Sequence, residues 1–232
     1  MKNMKRVVTL ALVFVLCLSY VPMVKAEGID MSGFSSENAK KAMKIKEFKA
    51  NGKLISQVKS KYMYPTQINA KCTFYKGKEP VDYSTAKIDM IEKGHTGFLQ
   101  FRISNKDYSS YDVKYSYHKP AFLYTYNAES IVDKIKLKSK YVDPYIMLTL
   151  KNTSGVKCEA CRVAIVYYSK NNKVVDVQFV STEVKRHGTK TKKVYIPYVR
   201  GSYEDKIDYD HYKAFVSTAA EFGIKALDLQ IP

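Results

Sequence analysis

The chain has 232 residues, with 39 Lys and Arg against 22 Asp and Glu, 20 tyrosines and no tryptophan. One large or two small domains fit that length, and the formal net charge of +17 favours attraction to polyanions. Nucleic acid is excluded as an expected partner, because the chain carries no basic helix or nucleic-acid motif and opens with an export pattern.

Lys2, Lys5 and Arg6 precede an apolar run over 7–18, followed by Pro22 and by Val24-Lys25-Ala26. That order predicts a cleaved signal peptide over 1–26, since the run is short for a bilayer span and Val24 and Ala26 suit a signal peptidase. An uncut signal anchor is the competing reading. Cys17 follows Leu16, where a lipoprotein site needs a small residue, so lipidation is not expected. Removing the four basic residues of this segment leaves 35 basic against 22 acidic side chains in the mature chain. The expected location is secreted or extracellular, with association to the cell envelope and no stable membrane span in the mature form.

Residues 27–42 are polar and small and read as a spacer, with Ser35, Ser36 and Glu37 placed to cap a short helix ending near Met43. From there the sequence alternates. Ile68, Ala70, Cys72 and Phe74 fall on one face of a strand, with Asn69, Lys71, Thr73 and Tyr75 on the other. Further on, Ile146, Leu148 and Leu150 share a face, as do Cys161, Val163, Ile165 and Tyr167, then Val175, Val177 and Phe179. Asn152-Thr153-Ser154-Gly155 and Asn171-Asn172 punctuate these runs, as turns do between antiparallel strands.

The two halves share an order of landmarks. Lys44-Ile45-Lys46 matches Lys134-Ile135-Lys136, and Phe74-Tyr75 matches Tyr167-Tyr168. Val81-Asp82 matches Val175-Asp176, Gly94 matches Gly188, and strands ending at Ile103 and Ile196 correspond. A tandem duplication is the simplest account. Each copy offers about seven strands in roughly 90 residues, the spacing of an immunoglobulin-like sandwich. The fold class expected is all-β: two tandem immunoglobulin-like antiparallel β-sandwiches, over 43–127 and 128–232, after the signal peptide and the spacer over 27–42. Few residues separate the copies, which predicts an end-to-end pair. The last stretch, 218–232, is expected to hold a helical turn around 219–222 and a closing strand over 224–231.

In the second copy, Asn152-Thr153-Ser154, then Val166-Tyr167-Tyr168, then Val174-Val175-Asp176 resemble the FxLYD-type domain, an immunoglobulin-like extracellular module of secreted proteins of Gram-positive bacteria. The Gly188 turn, Val194-Tyr195-Ile196 and the strand from Tyr212 to Val216 extend the resemblance over 146–217. The chain has Tyr168-Ser169 where the family's name implies Tyr-Asp. The resemblance implies display or binding at a cell surface and brings no catalytic site.

Few residues carry chemistry. Cys158 and Cys161 form a CxxC that reads as free thiols at a strand entry, a local disulfide, or a redox or metal pair. His95, His118, His187 and His211 show no metal-ligand spacing, so no metal and no cofactor is assigned. Lys185, Arg186, Lys190, Lys192 and Lys193, with Tyr195, form a basic hairpin. It reads either as a solvated edge that resists aggregation or as a grip for phosphate or sulfate groups. Glu204, Asp205, Asp208 and Asp210 lie in a loop without the spacing of a calcium site. Catalytic motifs are missing and no catalytic residue is assigned. The function expected is a secreted, non-catalytic, envelope-associated binding or adhesion-type protein, contacting an anionic wall polymer or another surface protein. The alternatives are a thiol-redox or metal-dependent envelope protein using Cys158 and Cys161, and an accessory glycan-binding module.

Overall fold

The computed structural model describes residues 30–104, 107–121 and 129–221. The expected signal peptide and the strand over 224–231 lie outside the described residues. Among the described residues the fold is all-β, built from antiparallel sheets with one short helix, α1 (Ser36–Ala42), and one 3-10 turn (Val132–Lys134). No helix there is long and apolar enough to cross a membrane.

Serine 35 caps α1 by accepting a hydrogen bond from Asn38 N, and the backbone turns extended at Met43. The segment is not a free spacer. Ala39 is fully buried, Ser35 N donates to the Tyr62 hydroxyl, and Ser36 Oγ donates to Tyr117 O.

The first half folds into β1 (Met43–Ala50), β2 (Lys53–Ser60), β3 (Thr66–Lys76), β4 (Glu79–Ile91), β5 (Thr96–Arg102) and β6 (Ser110–His118). They form two sheets, ordered β1-β2-β5 and β4-β3-β6. Leu54, Val58, Ile68, Cys72, Phe74, Leu99 and Phe101 come from both sheets and make one core. The second half contributes β7 (Glu129–Ser130), β8 (Ile135–Val142), β9 (Tyr145–Asn152), β10 (Cys158–Tyr168), β11 (Val174–Val184), β12 (Thr189–Tyr195) and β13 (His211–Glu221). Its sheets run β12-β9-β8 and β11-β10-β13-β7 around a core of Ile146, Leu148, Leu150, Val163, Ile165 and Tyr167. Each large aliphatic side chain removed from water in these cores contributes about 1.5–3 kcal/mol.

Asn152 shows why the turn after β9 takes its form. The side chain is fully buried, and its amide donates to Val156 O and Val184 O while its carbonyl accepts from Ser154 N and Ser154 Oγ. A buried amide needs such partners, because each one left unmet costs about 1–3 kcal/mol.

The structure departs from the expected end-to-end pair. Ala164, Val166 and Val177 are as buried as the core residues beside them, and they cluster with Ala50, Ile55 and Phe98 of the first half. The outer faces of the β1-β2-β5 and β11-β10-β13 sheets therefore meet, and the described residues from Met31 onward form a single unit. An apolar run on both faces of β10 is what such a doubly covered strand requires.

Polar groups lock the same contact. Ala50 and Lys53 pair across a two-residue turn in which Asn51 and Gly52 both have positive φ, the geometry of a type I′ hairpin. A Cβ on Gly52 would lie 2.4 Å from Arg200 Cδ, so the turn needs glycine for approach as well as for φ. Arg200 donates to Gly52 O and Ile103 O. Asp176, fully buried, accepts from Lys53 Nζ at 2.9 Å, from Asn51 Nδ2 at 2.8 Å and from Val177 N at 2.7 Å.

The tail differs from expectation too. Residues 219–221 continue β13, with Ala219 and Ala220 paired to Cys161 and Ala160, where a helical turn was expected.

Candidate functional site

Lysines scattered along the sequence converge on the β12-β9-β8 sheet. Its three strands carry Lys136, Lys138, Lys140, Lys151, Lys190, Lys192 and Lys193 and not one acidic residue. Register sorts them by face. Directly opposed residues share a face, so Lys136, Lys138 and Lys140 align with Lys151, Thr149 and Met147. Across β9, Lys193 aligns with Met147, and Thr191 with Thr149. The outer face thus presents five lysines, with Tyr145 and Tyr195 at one end. Tyr195 is 62% exposed, Tyr145 stacks edge-on against it, and Lys193 Nζ lies 4.8 Å from the Tyr145 ring centroid. Lys136 stands directly opposite Lys151. Such a like-charge cross-strand pair is destabilising, by up to about 1 kcal/mol.

The expected basic hairpin takes another form. β11 and β12 belong to different sheets, so Lys185-Arg186-His187-Gly188 is a crossover turn and not the tip of a paired hairpin. Lys185 and Arg186 are exposed on that turn. Lys190 and Lys192 lie on the core-facing side of edge strand β12, and Lys192 reaches out to Ser181 O at 2.8 Å. Of the sequence-derived set, Lys193 and Tyr195 join the outer face. Lys136, Lys138, Lys140 and Lys151 are additions that only the sheet order brings in.

Cys158 and Cys161 are three residues apart, a spacing that ordinarily puts side chains on opposite faces of a strand. Here Cys158 pairs with Val184 and Cys161 with Thr182, so β10 holds one extra residue and both thiols point into the core. Both are buried and unbridged. A hydrogen bond with Cys158, then burial, pushes the Cys161 thiol up, away from the thiolate that redox chemistry uses.

The histidines separate. His187 is exposed in the crossover turn, His118 lies beside Ser116, and His211 stacks on Tyr168 with Nδ1 2.9 Å from Asp210. His95 differs, because Glu92 and Asp133 flank its ring. In the acidic loop, Ser202 Oγ accepts from Glu204 N and Asp205 N and donates to Asp205 Oδ2, which closes the loop on itself.

No protein-family model and no curated protein matches the chain. Among solved structures, a candidate beta-galactosidase from Bacteroides fragilis is 12% identical with a TM-score of 0.20, covering 72% of this chain and 32% of the other. A chaperone–tip adhesin complex of CFA/I fimbriae is 8% identical with a TM-score of 0.20, covering 78% of this chain and 99% of the other. The C-terminal globular domain of an oligosaccharyltransferase from Pyrococcus abyssi is 9% identical with a TM-score of 0.20, covering 75% and 44%. The chain spans about a third of the length of the first of these. None of the three likenesses bears on fold or function.

Proposed function

We propose that this chain is a secreted, non-catalytic, envelope-associated binding protein that holds an anionic polymer on the outer face of the β12-β9-β8 sheet. The observation that carries the reading is an outer face with five lysines, on three strands that hold no acidic residue. Successive outward residues on a strand lie about 6.6 Å apart, and neighbouring strands about 4.8 Å. A grid of ammonium groups at those spacings suits a chain with repeated phosphate or carboxylate groups. Tyr145 and Tyr195 add flat, amphipathic surface beside it.

Export rests on the N-terminal pattern of charge, apolar run and Val24-Lys25-Ala26. The two sheet pairs are read as tandem immunoglobulin-like sandwiches from one duplicated unit. Supporting this, the order β1-β2-β5 with β4-β3-β6 recurs seven strands later as β8-β9-β12 with β11-β10-β13. The FxLYD resemblance of the second unit agrees with display at a surface.

Co-sedimentation of the mature chain with purified Gram-positive cell walls over a salt series tests the proposal. Binding that falls steeply with salt is expected, because raising salt from about 0.1 M to about 1 M shortens screening from roughly 10 Å to roughly 3 Å. Binding indifferent to salt, or no binding, overturns it.

A further inference from the structure

We propose that Glu92, His95 and Asp133 form a binding site for a divalent first-row transition-metal ion of the zinc class. The trio links the β4–β5 turn of the first half to the 3-10 turn that leads into β8.

The backbone holds these ligands in place. His95 N donates to Glu92 O, closing a turn in which Gly94 has φ +85°, and Gly94 N and His95 O pair with Ser60 at the end of β2. Opposite, Asp133 sits between Val132, which is buried, and Lys134, whose N–H donates to Ile131 O. Neither turn needs rearrangement to present its side chains.

The three ligand atoms lie within 4.8 Å of one another. His95 Nε2 is 3.4 Å from Asp133 Oδ1, and Nδ1 is 3.9 Å from Glu92 Oε2. Bonds of about 2.0–2.1 Å in a tetrahedral set place neighbouring ligand atoms roughly 3.3–3.5 Å apart, so the Nε2–Oδ1 edge already fits. A rotamer change of Glu92 brings in the third ligand.

A second observation concerns the other ring nitrogen. His95 Nδ1 is the buried side-chain nitrogen or oxygen that lacks a hydrogen-bond partner among the described residues. A polar atom left so costs free energy unless something else engages the ring. With Nε2 on a metal the ring is fixed as its Nδ1–H tautomer, and that N–H faces the Glu92 carboxylate 3.9 Å away.

The donor set selects the ion. One imidazole and two carboxylates, with no sulfur, suit zinc and its neighbours better than calcium, which takes six or more oxygens. Asp133 is 80% exposed, so water completes the coordination from the solvent side. The ion would tie two segments together and has no part in polymer binding.

Cobalt(II) and zinc(II) titrations of the purified full chain test the site. One equivalent of cobalt is expected to give a visible d–d spectrum without a sulfur charge-transfer band, which separates this trio from Cys158 and Cys161. Zinc should displace it. Asp133→Asn, on the surface and safe for folding, and His95→Asn should each weaken zinc binding at least tenfold in competition with a chromophoric chelator. The proposal is overturned by the lack of a stoichiometric site in the wild type. It is equally overturned by a sulfur band, or by a Asp133→Asn variant that binds as tightly as the wild type.

Discussion

Replacing Lys53 with Met tests how the two halves are held together. Asp176 is fully buried, whereas the Lys53 side chain remains 31% exposed, so the carboxylate carries the larger share of the pair's desolvation. Two unit charges about 4 Å apart attract by about 4 kcal/mol at an effective dielectric of 20. Asn51 Nδ2 and Val177 N still serve the carboxylate in the variant, which softens the loss. Breaking a buried pair from one side costs about 3–5 kcal/mol, and these remaining donors place Lys53→Met near the lower end, about 3 kcal/mol. Urea unfolding followed by circular dichroism and tyrosine fluorescence reads the change. In an Asp176→Asn background the buried charge is gone, so the same substitution should cost less than about 1 kcal/mol, a coupling of about 2 kcal/mol. A loss below about 1 kcal/mol in the wild-type background, or equal losses in both, refutes the reasoning.

Ala164→Asp places a carboxylate in the apolar cluster with Ile55, Phe98 and Val177. It should cost more than about 3 kcal/mol or split the unfolding curve into two steps, whereas a single transition shifted by less than about 1 kcal/mol would count against the packed contact. Burial pushes the Cys72 thiol up to about 12, so iodoacetamide at pH 8 should leave it unmodified in the folded chain and label it fully in denaturant. Rapid labelling without denaturant contradicts this. A thiol pKa raised by folding favours the native state below the unfolded value. The contribution is lost as pH rises from about 9 towards about 12, with a slope of at most about 1.4 kcal/mol per pH unit for one proton. Urea midpoints measured across that window should fall for the wild type and fall less for Cys72→Ala.

Much of the fold was legible in the residues. Alternation placed Ile146, Leu148 and Leu150, and Val163, Ile165 and Tyr167, on the sides they occupy in the core. Ser35 was readable as a cap. What alternation hides is the second cover on β10. Ala164 and Val166 occupy its other face, and only the continuous apolar run around them hinted at burial there. The Asn51-Gly52 pair was an available hairpin signal that periodicity alone does not use.

The candidate site was less legible, for a geometric reason. Lys136, Lys151 and Lys193 are far apart in sequence, and they become neighbours because β9 lies between β8 and β12. Reading Lys185–Lys193 as a hairpin missed this, because β11 and β12 leave for different sheets. Cys158 and Cys161 share a face only through a bulge that their spacing does not announce. Likewise, Asp133 meets His95 through the packing of two turns that no local pattern connects.

The most direct test of the polymer-binding account is titration of a soluble polyphosphodiester, such as poly(glycerol phosphate), into the mature chain. Wild type should be compared with a Lys138→Gln/Lys140→Gln/Lys193→Gln variant and with a control, Lys71→Gln/Lys87→Gln/Lys114→Gln, on the β4-β3-β6 sheet. The account predicts at least tenfold weaker binding and a shallower salt dependence for the first variant, with the control near wild type. Equal losses in the two variants, or none in either, would contradict it.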